Sequence, residues 1–367
     1  SAAAGRAAPA MMPPRPAMRK WMVIVGCTAA ALVLSLCMFA PRLWLMRTYL
    51  PGTYQWDRAH TYLLQCEAPF RRDIEPAMFW RLLPPLVCHE LGLRGYRPLI
   101  VPWLGVLAAT GYATLLFQRR LNHPRFVFGG ALLFATTSAV FVATTWLGLN
   151  DAWVWLGLLV VAFGRARWSL AVAALLCPWV DERFVIGFPL AWLIRCFDRA
   201  EPLLSRRALS LLWLVPYVLV RAMAPGVMAE GGASAAFLRQ TIGAAPVLLP
   251  FAPLGWWMGL RVGWVAVAYG IWSLHPPRRL LTLLAIGGTL AAMLCLASDT
   301  SRSAAIVAPA MVWGCLVFAR NYPVQAPRGL LLLGLANLLV PAAHVTYTKI
   351  DVINPLLIEI VRLWRIA

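Results

Sequence analysis

Three consecutive ionisable residues, Asp181-Glu182-Arg183, interrupt an otherwise apolar stretch. Charge at membrane depth is costly and usually lines a cavity or marks function. Pro178, just before them, removes a backbone donor and breaks a helix there. An exposed hairpin turn with an internal Arg183 pair is the plain alternative. Asn150-Asp151 opens another short apolar run, where Asp is a strong helix cap, so capping alone would explain it. Asp299-Thr300-Ser301-Arg302 makes a tight turn. The planar fork of Arg302 suits phosphate recognition, or simply balances Asp299. Asp57, in Gln55-Trp56-Asp57-Arg58, has the chemistry of a general base, or of a surface ion pair of little value.

Those residues need elements to hold them, and composition says which kind. Of 367 residues, 61% are hydrophobic and 13% charged, about half the charge of a soluble domain. A soluble enzyme, a disordered chain and a disulfide-framework domain are excluded, leaving an all-α polytopic membrane protein. Long apolar runs also exclude a transmembrane barrel, which alternates with period two. The net charge of +19 is nearly all arginine, spread over short loops between apolar runs. That is a topology pattern rather than a nucleic-acid footprint, so no nucleic-acid partner is expected. No Walker, GxGxxG, HExxH or GxSxG motif occurs, and no Cys/His metal spacing.

A span needs about 20 apolar residues. Candidates are Trp21–Ala40, Leu99–Phe117, Phe126–Leu147, Ala208–Met223, Pro253–Leu274, Leu280–Ala297, Ala304–Ala319 and Leu330–Ala343. Ala152–Phe163, Ser169–Val180 and Phe184–Ile194 are shorter, each about 18 Å of helix against a core of about 30 Å. The count is about eleven spans, several of them short. Trp21–Ala40 reads as a retained signal anchor. Residues 1–20 form an N-terminal tail and 21–367 one transmembrane domain. Arg15, Arg19 and Lys20 place that tail in the cytoplasm, and threading from there puts every short basic loop inside. Twelve of the fourteen acids then fall outside.

The external loop 41–98 is the largest extramembrane feature. Tyr62–Cys66 and Ala77–Leu91 have helical period and suggest interfacial helices anchored by Trp56, Phe79 and Trp80. Its arginines, Arg58 and Arg81 among them, contact anionic headgroups or hold a phosphate-bearing ligand. Cys66 and Cys88 could pair in an oxidising compartment. Gly287-Gly288 reads as close helix packing.

In this arrangement the chain resembles the GT-C-type integral-membrane glycosyltransferases. The likeness rests on Trp56-Asp57-Arg58 after the first span, Phe79-Trp80-Arg81-Leu82-Leu83-Pro84-Pro85-Leu86, Asn150-Asp151, Asp181-Glu182-Arg183-Phe184 and the Asp299–Arg302 turn. It covers most of the chain architecturally, without a large soluble C-terminal domain. The resemblance implies an inverting enzyme working on the external face. The absence of any Asn-x-Ser/Thr sequon, with the compact size, points to a bacterial inner membrane, where that face is periplasmic. It would move a sugar from a polyprenyl-phosphate donor to a glycan, lipid or protein acceptor. Asp57 would be the base. Asp151, Asp181, Glu182, Arg58, Arg81 and Arg302 would bind substrate, with Arg302 first on the phosphate. No strong DxD motif is present, so no metal ligand is assigned and a divalent cation stays open. The alternative is a transporter or flippase for a lipid-linked substrate, with the short helices as discontinuous segments.

Overall fold

The computed structural model describes residues 17–42, 54–71, 73–74, 76–203, 205–227, 242–297 and 299–366. Nearly all of the N-terminal tail lies outside the described residues, as do Arg47, Arg72, Glu75 and Glu230. The described chain is almost entirely helical. Four helical segments are long and apolar enough to cross a membrane: Lys20–Met38, Arg97–Arg120, Pro276–Leu296 and Thr300–Asn321. Two bent pairs raise the number to six if each is one span. The chain is therefore an α-helical membrane protein.

The expected Phe126–Leu147 span is one of the bent pairs. It divides into helices Pro124–Ala135 and Ser138–Thr145, set 53° apart. The break falls at Thr136-Thr137, whose hydroxyls bond back to the carbonyls of Leu132 and Phe134. Freed backbone groups inside an apolar bundle must find other partners. Here Asn337 donates to Thr136 Oγ1 at 2.8 Å and to its carbonyl at 3.3 Å, and Arg261 donates to the same carbonyl. Both side chains are fully buried. The Arg261 guanidinium also lies 4.5 Å from the Phe39 ring centroid and 5.1 Å from that of Phe141. Cation–π attraction offsets part of its desolvation.

Two of the three short segments are helices Asp151–Phe163 and Arg167–Leu176, the latter continued by a 3₁₀ turn over Cys177–Trp179. The third differs from expectation. It runs Arg183–Arg199, beyond Ile194, because two arginines join the helix instead of flanking it. Arg195 is fully buried, and donates to the carbonyls of Val161 and Gly164 while facing Glu201. Arg199 donates to Phe163.

The Leu330–Ala343 segment forms helix Ala326–Leu339 and then gives way to a hairpin that hydropathy did not suggest. Strands Ala342–Thr346 and Lys349–Ile353 pair antiparallel, with His344 opposite Asp351. The signal was β-branched density in Val345, Thr346, Thr348, Ile350, Val352 and Ile353. Beyond it, helix Leu356–Ile366 exposes Leu357, Val361 and Trp364 and buries Glu359.

Helices Pro124–Ala135 and Ala326–Leu339 pack backbone to backbone. A Cβ on Gly129 would stand 2.5 Å from the Leu331 nitrogen, and one on Gly334 would stand 2.6 Å from the Gly129 carbonyl oxygen. Small residues allow this approach. Gly287 and Gly288 do not serve that role, since both face open space.

Within the loop, Tyr54–Glu67, Pro76–Phe79 and Leu83–Glu90 are helices, close to the interfacial helices expected there. Pro84 and Pro85 suit the first turn of the last, where no helical N–H is needed. Cys66 and Cys88 are buried and unbonded, and Tyr62 Oη lies 3.3 Å from Cys88 Sγ. A hydrogen bond from Cys66, against burial and aided by Tyr62, brings the Cys88 thiol down to about 7.

Gly129→Val or Gly334→Val should each cost about 1–3 kcal/mol through overpacking, read as a lowered Tm in detergent. Gly287→Ala should leave Tm unchanged. Because Cys66 and Cys88 sit together with Tyr62 in one buried cluster, diamide oxidation should give a Cys66–Cys88 cross-linked peptide by mass spectrometry. Independent alkylation of both thiols after that treatment would show the two helices standing apart.

Candidate functional site

The site begins with two helix starts. Asp151 is the first residue of its helix, and Asp181 precedes helix Arg183–Arg199 by two residues. Neither Asn150 nor Asp151 caps with its side chain. Both Asp151 oxygens go to arginine instead. Arg302 donates to Oδ1 from Nη2 at 2.8 Å and to Oδ2 from Nε, a two-pronged grip. Arg183 Nη2 reaches Oδ1 at 3.2 Å. The Asp181 carboxylate does act locally, since Oδ1 accepts the Arg183 amide at 3.0 Å. It is then held by the Arg183 side chain at 2.8 and 2.7 Å. Asp299 is the true cap, accepting the Arg302 amide at 3.2 Å and its Nη1 at 3.3 Å.

The third guanidinium comes from the loop. Arg81 sits in the break between helices Pro76–Phe79 and Leu83–Glu90. Its Nη2 lies 3.1 Å from Asp181 and 3.4 Å from Glu182. Asp151, Asp181, Arg183 and Arg302 are each at most 4% exposed. Glu182 is the accessible member, its side chain 41% exposed. Burial works against the Asp181 charge, but Arg183 and Arg81 outweigh it and hold its carboxyl well below the usual carboxylate range.

The structure thus brings together five of the seven residues singled out in the sequence: Asp151, Asp181, Glu182, Arg81 and Arg302. Asp57 and Arg58 stand outside this ion cluster. Asp57 lies on the exposed side of helix Tyr54–Glu67, and its carboxylate has no partner among the described residues. The other side of that helix meets the cluster. Gly148, at φ +78°, lets the chain turn tightly, and a Cβ there would lie 3.1 to 3.3 Å from Ala59, the Arg58 carbonyl and Tyr62.

Between that helix and the ion cluster is a small cavity of about 10 Å³, lined by Tyr62, Gln65, Arg81, Asn150, Asp151 and Asp181, among others. That is about the space of one water molecule. Gln65 Oε1, Asn150 Oδ1 and Arg81 Nε are buried on its walls without a hydrogen-bond partner. Unpaired buried polar atoms cost about 1–3 kcal/mol each, so this wall suits a polar group.

Comparison with family models, with curated proteins and with solved structures returns no match.

Sequence reasoning missed three members. Arg183 was read as half of a local pair, yet it bridges Asp181 to Asp151. His344 arrives on the hairpin, with Nε2 3.5 Å from Asp299 and Nδ1 3.1 Å from Ser301 Oγ. Ser301 also accepts the Val345 amide at 2.9 Å, which fastens the Asp299–Arg302 turn to the hairpin. Among the described residues no group of three or more His, Cys, Asp and Glu is gathered for a metal. A divalent cation at Asp151 and Asp181 would have to displace guanidiniums, so the donor set does not fit one.

Removing one partner of a buried ion pair strands the other. Asp181→Asn or Arg183→Met should therefore each cost about 3–5 kcal/mol near pH 7 by thermal unfolding in detergent. The Asp181→Asn/Arg183→Met double variant should cost less than the sum of the two. Because the folded-state pKa of Asp181 is depressed, its contribution is complete above about pH 4, the unfolded value. It is lost as pH falls through the folded value. The gap between wild type and Asp181→Asn should close there, and a constant gap would contradict the pairing.

Proposed function

We propose that this protein is a membrane glycosyltransferase of the GT-C type, threading about eleven apolar segments and using a polyprenyl-phosphate sugar. The observation that carries the reading is the buried charge cluster with the unpaired polar atoms beside it. The space between them is about that of one water molecule, so a sugar phosphate enters only when the loop helices move away. Three arginines and two buried aspartates gather at one end of an apolar bundle, under the helices of the long loop. A lipid-borne sugar phosphate needs such a place, with its chain among apolar helices and its charge against guanidinium.

Arg302 is engaged by Asp151 and Asp299, so Arg81, at the cavity wall, takes the phosphate in this reading, with Arg302 holding the carboxylates in position. Asp57, which the resemblance makes the base, has no carboxylate partner among the described residues and stands on the outer side of helix Tyr54–Glu67. This reading therefore requires that helix to turn or shift to bring Asp57 to a sugar held at Arg81. Asp57 then removes the acceptor hydroxyl proton, and the oxygen attacks the anomeric carbon in line. The carbon–phosphate-oxygen bond breaks and polyprenyl phosphate leaves, its charge offset by arginine. Glu182 and the Asn150 and Gln65 side chains suit sugar hydroxyls. The bacterial inner membrane and a cytoplasmic N-terminus belong to this proposal.

The test is transfer of labelled sugar from a polyprenyl-phosphate donor by protein in liposomes. Asp57→Asn should lower the rate by about 10²–10⁴ and Arg81→Gln by about 10²–10³. Full activity in Asp57→Asn would remove the assigned base. Counterflow of the lipid-linked sugar without covalent transfer would replace the enzyme with a transporter.

A further inference from the structure

At the end of the bundle away from the ion cluster lies a second, much larger cavity of about 630 Å³. Helix Arg97–Arg120 starts beside the loop helices and ends at the 121–123 turn, from which Pro124–Ala135 returns. Segment Thr300–Asn321 carries Arg302 in its first turn and ends at the 322–325 turn, from which Ala326–Leu339 returns. The cavity lies between these two turns. Its wall holds His123, Arg125 and Arg328, with Phe318, Pro323 and Val324 as apolar members, and no carboxylate.

Both arginines are exposed and make no ion pair or hydrogen bond among the described residues. Each also sits in the first turn of its helix, the positive end of the helix dipole, where a cation is disfavoured. Two like charges, at two like dipole ends, facing one space, are stabilised by an anion placed between them. The surroundings narrow the kind of anion. Val324 is 82% exposed at the rim. Leu332 and Leu339 carry an exposed apolar face away from it along helix Ala326–Leu339. A ligand that is anionic at one end and apolar along its length matches both parts.

We infer that this cavity binds the phosphate headgroup of an anionic phospholipid, with Arg125 and Arg328 on the phosphate oxygens and the acyl chains along the leucine face. The site is separate from the proposed reaction site and stands whether or not that proposal holds.

Native mass spectrometry of the full chain in detergent, with phosphatidylglycerol or phosphatidylcholine added, tests it. Wild type should retain phosphatidylglycerol in preference to phosphatidylcholine by about tenfold or more. Arg125→Gln/Arg328→Gln should abolish that preference. Arg165→Gln/Arg167→Gln, which removes two exposed arginines from another turn, should preserve it. Equal loss in the two variants would reduce the effect to diffuse charge and overturn the site. Absence of preference in wild type would do the same. Displacement of the lipid by excess inorganic phosphate would make the ligand a free anion and overturn the lipid assignment.

Discussion

An ionised carboxylate inside an apolar bundle is tolerable only when cations and hydrogen bonds replace the water it has lost. Asp151 and Asp181 are both buried, and each is surrounded by guanidinium. Their partners come from three distant parts of the chain: Arg81 from the loop, Arg183 from a helix start and Arg302 from the turn before a long span. Electrostatic pairing therefore joins elements that the apolar effect alone would leave free to slide. Two short helices make this possible, because they stop where charge can be gathered instead of carrying it across. The remaining fittings serve the same end. Gly148 brings helix Tyr54–Glu67 against the cluster, and Ser301 with His344 ties the Arg302 turn to the hairpin.

The ion cluster is nearly saturated with its own partners, and this bears on function. The groups that are not fully engaged are Glu182, on the exposed side of the cluster, and Arg81, Asn150 and Gln65 along the cavity wall, and under the proposed function these are the ones a substrate would meet. Asp57 stands apart on the outer side of the same helix. The structure thus divides into a rigid charged floor and a separate carboxylate without a partner among the described residues. Preorganised charge of this kind stabilises a leaving phosphate without reorganising during reaction.

Much of this was legible in the sequence, for a physical reason. Charged residues flanked by apolar runs too short to cross announce a gathering point, so Asp151, Asp181 and Glu182 could be picked by type and depth, Arg302 by its tight turn, and Arg81 only through the family resemblance of its stretch. Which cation meets which anion was not legible, because that depends on helix rotation. Arg183 illustrates this, reaching Asp151 across 32 positions. Hydropathy also misjudged Arg195, since an arginine whose N–H groups reach carbonyls can lie inside a helix. The hairpin at Ala342–Ile353 escaped for the opposite reason. Its apolar residues look like the end of a span, and only their β-branching tells them apart.

The broken helix at Thr136-Thr137 has a consequence for how the chain is made. The carbonyl freed at Thr136 is buried and served by Asn337 and Arg261, side chains synthesised long after it. A nascent chain that has delivered only its first half to the bilayer carries an unserved backbone group in hydrocarbon. That half therefore lacks the partners that hold the bend in the finished fold, and the bend becomes secure only when the last third arrives. Biogenesis, more than the finished fold, is where this bend exacts its toll.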